Sequence, residues 1–313
     1  MKGIELSKAF YSEFGEPMLR DGFPELCGLI AVGVAGSGSE CFGYDDELSR
    51  DHDFDVGFCI FIPDEDMIDS RTAFALERAY SKLPRNFRGF ERSLLAPVGG
   101  SRRGVIRMGE FFKNKTGNAD GALSELDWLT VSEQLLAEAV NGEVFFDGLG
   151  KFTAIRERLS YMPEDARLKK LAGELLIMGQ AGQYNYGRCI ARGETAAAQL
   201  AVCDFARSAL HAAFLLNKRY MPYYKWSFRA LRELPCLSHL HSELEYLISS
   251  GNDTEEHLRK RDVIERVCAD IVNELVAQRL TDYDGEETEG HAYSVNEKIS
   301  SPKVRNLHIL CAV

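Results

Sequence analysis

Two apolar runs joined through a glycine-serine turn and a set of alternating aspartates constrain this chain more than any other feature. The first run, Leu29 to Val34, passes almost directly into Gly36-Ser37-Gly38-Ser39. Fourteen residues after Ser37 begin Asp51, Asp53 and Asp55, at the mouth of a second apolar run from Val56 to Ile62. This order predicts a buried strand, a turn, and a neighbouring strand that carries carboxylates at period two. Alternate residues of a strand share a face, so the three carboxylates are expected to point into one site. Clustered carboxylates raise one another's pKa unless a cation lies among them, and hard oxygen ligands favour Mg2+ or Mn2+. His52 falls on the opposite face by the same alternation and is expected to be structural.

Three rival motifs fail on spacing. A Walker loop needs Lys before Ser or Thr, and Gly38 precedes Ser39 instead. A calcium loop starting at Asp51 needs Gly at its sixth position and Glu at its twelfth; Val56 and Ile62 stand there. A dinucleotide fingerprint needs a third glycine at a fixed step into a helix, and that glycine is missing.

The 313 residues suffice for one large or two ordinary domains. Helical periodicity takes over after about Leu149, so a mixed α/β domain over 1–148 and a helical domain over 149–313 are expected, an α+β fold. In the first part, helices are predicted over 4–14 (stopped near Gly15 and Pro17) and 68–83, with a strand at Gly104–Met108. Thr130 and Glu133 have the spacing of a capping box for a helix reaching Val140. In the second part, Ala166–Arg192 and Thr195–Tyr220 read as long helices, the latter with a Leu200, Cys203, Ala206, Leu210, Ala213 stripe. Asp253 and Glu256 open a third, with Ile264, Val267, Ile271 and Leu275 on one face. The acidic stretch from Thr281 to Gly290 is expected to be a solvated loop.

A net charge of −11 argues against a nucleic-acid polymer as the main partner, while leaving room for a nucleotide whose charge a metal offsets. No apolar run approaches the ~20 residues that span a bilayer, so no membrane partner is expected. The N-terminal stretch lacks the apolar segment of a signal peptide. Eight scattered cysteines without a C-x-x-C pair argue against zinc or a disulfide framework, and a cytoplasmic location is the default. His239 and His241 have no acidic or cysteine neighbours in sequence and are not read as a metal site.

The strand, Gly-Ser turn and D-x-D order resembles the polymerase-β-like minimal nucleotidyltransferases. Gly36-Ser37 or Gly38-Ser39 would supply the turn, and Asp51/Asp53 or Asp53/Asp55 the pair. Phe214 to Tyr220 followed by Pro222 to Trp226 looks like a segment of two-domain relatives of the kanamycin and streptomycin nucleotidyltransferases. Together with GSGSECFGYDDELSRDHD, DWLTVSEQ and HAYSVNEKI, it resembles, nearly end to end, a bacterial domain-of-unknown-function family (number 4037) of nucleotidyltransferase-like proteins. In that family positions matching Asp51 and Asp53 are typical and that of Asp55 varies.

The resemblance implies an enzyme that moves a nucleoside monophosphate from ATP or another NTP to an acceptor hydroxyl. The turn (Gly36, Ser37, Gly38, Ser39) would bind the triphosphate, the aspartates would hold Mg2+ or Mn2+, and Lys225 would reach the phosphates across a cleft. A third carboxylate is expected on a neighbouring strand; Arg107 stands where one would be sought, and Glu110 and Asp127 are the nearby candidates. The acceptor is expected to be a small aminoglycoside-like molecule or a protein side chain, with a homodimer or protein partner left open. The competing expectation is a silent nucleotide-binding or partner-binding protein, antitoxin-like or regulatory, that keeps the fold.

Overall fold

The computed structural model describes residues 1–47, 55–92, 103–253 and 255–313. They form two compact units, Met1–Leu123 with Val131–Ser160, and Ser124–Thr130 with Tyr161–Val313. Residues 149–160 thus cluster with the first unit and 124–130 with the second, where the sequence suggested one boundary after residue 148.

In the first unit, α1 (Gly3–Phe10) continues through a π-helical turn (Tyr11–Gly15) into α2 (Glu16–Gly22). The expected stop does not occur. Pro17 sits in the first turn of α2, which tolerates proline. Gly15 is a packing residue rather than a breaker, because a Cβ there would lie 2.4 Å from the Phe58 ring.

Next come β1 (Ala31–Val34), β2 (Cys59–Ile62), α3 (Ser70–Ser81), a hairpin of β3 (Asn86–Phe87) and β4 (Phe90–Glu91), β5 (Gly104–Arg107) and α4 (Met108–Thr116). After α5 (Glu125–Thr130), which belongs to the second unit, follow α6 (Glu133–Val140), β6 (Glu143–Asp147) and α7 (Lys151–Arg158). The sheet order is β5-β2-β1-β6; β1 runs antiparallel to β2 and β6, and β2 runs parallel to β5.

Alternation on β2 divides the core into two layers. Phe58, Ile60 and Ile62 face a cluster that holds Phe10, Leu76 and Tyr80, from α1 and α3. Phe61 points the other way, stacked at 4.0 Å on Phe152 of α7 and edge-on to Phe111 of α4 at 5.1 Å. Helices therefore cover both faces, and Phe152 explains why α7 stays with this unit.

The predicted box at Thr130 and Glu133 is replaced by two helix ends. Thr130 closes α5, its hydroxyl donating to the Leu126 carbonyl at 3.2 Å, and Ser132 is the residue that precedes α6.

The second unit is helical. α8 (Glu164–Met178), a π-helical stretch (Gly179–Tyr186) and α9 (Gly187–Ala191) form the predicted first long element, which ends at Gly193 with φ of +75°. Then follow α10 (Thr195–Leu216), α11 (Tyr224–Leu231), α12 (Leu240–Ser249), α13 (Glu256–Ala277), α14 (Thr288–Glu297) and α15 (Pro302–Arg305). The α13 stripe is buried as expected, and Asp253 caps it by accepting from the Glu256 N–H at 2.9 Å.

The α10 stripe holds in part: Ala206, Leu210 and Ala213 are buried and Cys203 is half-buried. Leu200 is 69 % exposed, whereas Val202, Phe205, Ala209 and Ala212 are buried. α8, α12, α13 and the π-helical stretch all pack on α10, so its buried surface is wider than one periodic stripe. The acidic stretch is also more ordered than a solvated loop. Thr281 is buried and bonded to His291 Nδ1 at 2.9 Å, and Thr288 is buried at the start of α14. No helix of the described residues is long and apolar enough to cross a membrane.

Candidate functional site

Strand register brings three segments to one end of the first unit's sheet. Gly33 pairs with Cys59 in the antiparallel β1–β2 ladder, so the exit of β1 lies beside the entrance to β2. Cys59 pairs with Gly104 in the parallel β2–β5 ladder, which adds Arg103 to the same end. The Gly-Ser turn, Asp55 and Arg103 therefore share one edge.

The turn is held from behind. Gly36 and Gly38 adopt φ of +107° and +124°, conformations that favour glycine. The Asn141 side chain grips Gly36 at both ends, accepting from its N–H at 2.9 Å and donating to its carbonyl at 2.8 Å. Gly142 donates to the Cys41 carbonyl at 2.8 Å, and a Cβ on Gly142 would lie 1.8 Å from the Val34 carbonyl oxygen. The Arg156 Nη2 donates to the Val140 and Asn141 carbonyls at 2.6 Å each, bracing the same clamp.

Because Asn141 takes the Gly36 N–H, Gly36 shapes the turn rather than presenting a donor. The next three N–H groups, of Ser37, Gly38 and Ser39, donate to no other described residue. Ser37 is exposed, Gly38 half-buried and Ser39 buried. Successive N–H groups in such a turn form a concavity suited to an anion.

Beneath the turn lies a buried ion pair. Arg103 donates to Glu40 at 2.6 Å, with both side chains 1 % exposed. Burial works against the Arg103 charge, but the Cys41 and Cys59 sulfurs and the Glu40 carboxylate outweigh it and its pKa is raised. Burial pushes the Cys41 thiol up to about 11 and raises that of Cys59 as well. Both are therefore protonated packing groups at neutral pH.

Of the three aspartates, Asp51 and Asp53 lie outside the described residues, as does His52. Asp55 is half-buried, and its Oδ1 accepts from the Gly57 N–H at 2.7 Å. Tyr80 reaches the same spot from α3, its hydroxyl accepting from the Phe58 N–H at 3.1 Å. Burial, and next the Asp55 charge, hold the Tyr80 phenol far above its ordinary pKa. Among the described residues no three His, Cys, Asp or Glu side chains are grouped to hold a metal ion.

The candidates for a third carboxylate fall elsewhere. Glu110 is exposed in the first turn of α4, after the C-terminal end of β5. Since β5 runs parallel to β2, that is the sheet end opposite Asp55. Arg107 is there too, donating to the Pro63 and Ile68 carbonyls at 2.7 Å each. Asp127 belongs to the second unit, in a capping box at the start of α5: its carboxylate accepts from the Ser124 N–H at 2.8 Å while the Ser124 Oγ accepts from the Asp127 N–H at 3.2 Å, and the bonds from Ser124 lower its pKa. Lys225 is also in the second unit, exposed at the start of α11 with its ammonium 5.1 Å from the Trp226 ring centroid. His239 pairs with Asp270 at 2.9 Å, and His241 bonds to the Ser238 carbonyl.

Sequence reasoning missed Asn141, Glu40 and Arg103, which position the turn. The one local signal was Asn141-Gly142, a dipeptide that favours positive φ.

No curated protein and no solved structure matches the chain. Residues 128–227 match the model of a family described as Domain of unknown function (DUF4037), a stretch that excludes the Gly-Ser turn and the aspartates.

Proposed function

We propose that the first unit binds a nucleoside triphosphate and that the protein transfers a nucleoside monophosphate from it to an acceptor hydroxyl. The observation that carries this reading is the row of N–H groups at Ser37, Gly38 and Ser39, at the sheet end where Asp55 enters β2. Those N–H groups receive phosphate oxygens, and the Ser37 hydroxyl, exposed at the rim, adds a further donor. Asn141, Gly142 and the Glu40–Arg103 pair hold the turn rigid, so its donors need no reorganisation when an anion arrives. The carboxylates of Asp51, Asp53 and Asp55 are an all-oxygen donor set that fits Mg2+ or Mn2+. Such an ion, when bound, offsets phosphate charge and polarises the phosphorus–oxygen bonds. In the transfer, the acceptor oxygen forms a bond to the α-phosphorus, its bond to the bridging oxygen breaks, and pyrophosphate departs with the electron pair. The acceptor's proton passes to a base or to water.

A second reading rests on one specific observation. The strand beside β2 is entered from Arg103, an arginine already paired with Glu40, and neither Glu110 nor Asp127 reaches this sheet end within the first unit. A site without a third carboxylate suits a protein that holds nucleotide without turnover.

Calorimetry with a non-hydrolysable ATP analogue, with and without Mg2+, on the wild type and Asp53→Ala tests the first reading. Binding that needs Mg2+ and disappears in Asp53→Ala is the expected result. Undiminished, metal-independent binding in the variant, together with no transfer of radiolabel from ATP to an acceptor panel, favours the second. No binding of any triphosphate defeats both.

A further inference from the structure

Charge is sharply segregated along the first unit. From Glu40 to Asp69 the only cation is Arg50, whereas from Arg71 to Arg107 the only acids are Glu77 and Glu91. Part of the basic segment is structural: Arg103 pairs with Glu40, and Arg107 ties down the Pro63 and Ile68 carbonyls. Arg92 caps α3, its guanidinium donating to the carbonyls of Tyr80, Ser81 and Leu83 at 2.8, 3.1 and 3.0 Å. A basic side chain at a helix C-terminus is usually explained by that capping. Here Arg92 supplies the hydrogen bonds to those carbonyls, and Arg78 and Lys82 face the helix end only as nearby charges.

Arg78 and Lys82 are exposed, one helical turn apart, and neither forms an ion pair among the described residues. Both line a groove of about 630 Å³, whose remaining walls are Met18 and Phe23 from the α2 side and Ala75, Ala79 and Leu83 from the α3 side. No carboxylate lines it. In a chain of net charge −11, an apolar trough with two cations and no acid is selective for a ligand of opposite sign. Its volume is in the range of small-molecule sites, which are mostly apolar with a few placed polar groups.

We propose that this groove binds a free amphiphilic anion, an aliphatic tail lying along Met18, Phe23, Ala79 and Leu83 with a phosphate or carboxylate head held by Arg78 and Lys82. An acyl-chain ligand fits better than a nucleic-acid segment, because the walls are apolar, with Phe23 the one aromatic ring among them, and carry no amide or hydroxyl group that would read a base edge. The groove lies between α2 and α3, and none of its lining residues belongs to the Gly-Ser turn or the aspartates, so the proposal is tested separately from the nucleotide reading.

The test is calorimetric titration of the full chain with dodecyl phosphate below its micellar concentration. Dodecyltrimethylammonium, inorganic phosphate and vesicles of anionic phospholipid are run in parallel. The expected result is one-to-one binding of dodecyl phosphate, not matched by the cationic amphiphile or by phosphate alone. Lys82→Glu weakens it about tenfold or more, the effect of removing a charge-assisted contact and adding repulsion. Ala79→Trp, which fills the trough, weakens it while keeping both cations. The melting temperature of each variant shows that the fold survives. Absence of binding by the wild type, equal binding of the cationic amphiphile, binding unchanged in folded Lys82→Glu and Ala79→Trp, or association with vesicles alone would each overturn the proposal.

Discussion

The Arg103 guanidinium donates to the Glu40 carboxylate at 2.6 Å, and this buried pair joins the loop after the Gly-Ser turn to the start of β5. It ties together two segments that are 63 residues apart in sequence. Because both groups are desolvated, the pair fixes the position of the loop more than it adds net stability.

Arg103→Met is therefore expected to destabilise the protein by about 3–5 kcal/mol, since it takes the guanidinium away from a buried carboxylate. The double variant Arg103→Met/Glu40→Met should cost clearly less than either single change. Urea denaturation of the three variants and the wild type measures the coupling. Strict additivity would show that the two residues act separately.

Asn141→Ala removes both hydrogen bonds to the Gly36 backbone and should cost ~1–3 kcal/mol. Gly142→Ala should be worse, because its Cβ meets the Val34 carbonyl and its φ is +71°. Thermal melts give the stability order. Amide exchange should show protection lost first at the Gly36, Cys41 and Gly142 N–H groups, with the α8–α10 contacts of the second unit unaffected.

Alkaline pH should weaken the fold through Cys41. Its thiol sits at about 11 against an ordinary 9.0, so the folded state holds that proton more tightly than the unfolded chain. The sign follows: the contribution is complete below about pH 9 and is lost as pH rises toward about 11, up to ~3 kcal/mol. Stability measured across that window should fall less steeply in Cys41→Ala. In the native protein, a thiol reagent should label the exposed Cys311 ahead of the buried Cys41 and Cys59.

Asp127→Ala should remove the carboxylate half of the capping box of α5, keep the Ser124 Oγ bond, and leave nucleotide binding unchanged once stability is allowed for. The Ser124 N–H lowers the Asp127 pKa, so the cap's contribution is present above the ordinary carboxylate pKa and is lost as pH falls through the lowered value. A circular-dichroism melt beside the calorimetric titration separates the two effects. Loss of nucleotide binding in a folded Asp127→Ala would return this residue to the list of site carboxylates.

The sequence by itself determined those elements whose signal is local. The alternation of Phe58, Ile60 and Ile62 with Cys59 and Phe61 makes β2 a two-faced strand, and Asp253 with Glu256 starts α13 where the side chain meets the free N–H. The glycines at 36 and 38 announce a turn because only positive φ closes it there. Tertiary structure decided the rest. Thr130 and Glu133 have a capping spacing, yet Thr130 ends α5 and Glu133 begins α6, so the two residues belong to different helices. Leu200 fits the spacing of Ala206, Leu210 and Ala213, which are buried, yet stays exposed itself. Glu110 stands close to β5 in sequence, but parallel pairing with β2 carries it to the far end of the sheet from Asp55. Asn141 and Arg103 reach the turn only through pairings 105 and 63 residues long. Periodicity and caps act within a few residues and can be read from sequence, whereas register and burial partners depend on contacts that exist only after the chain has folded.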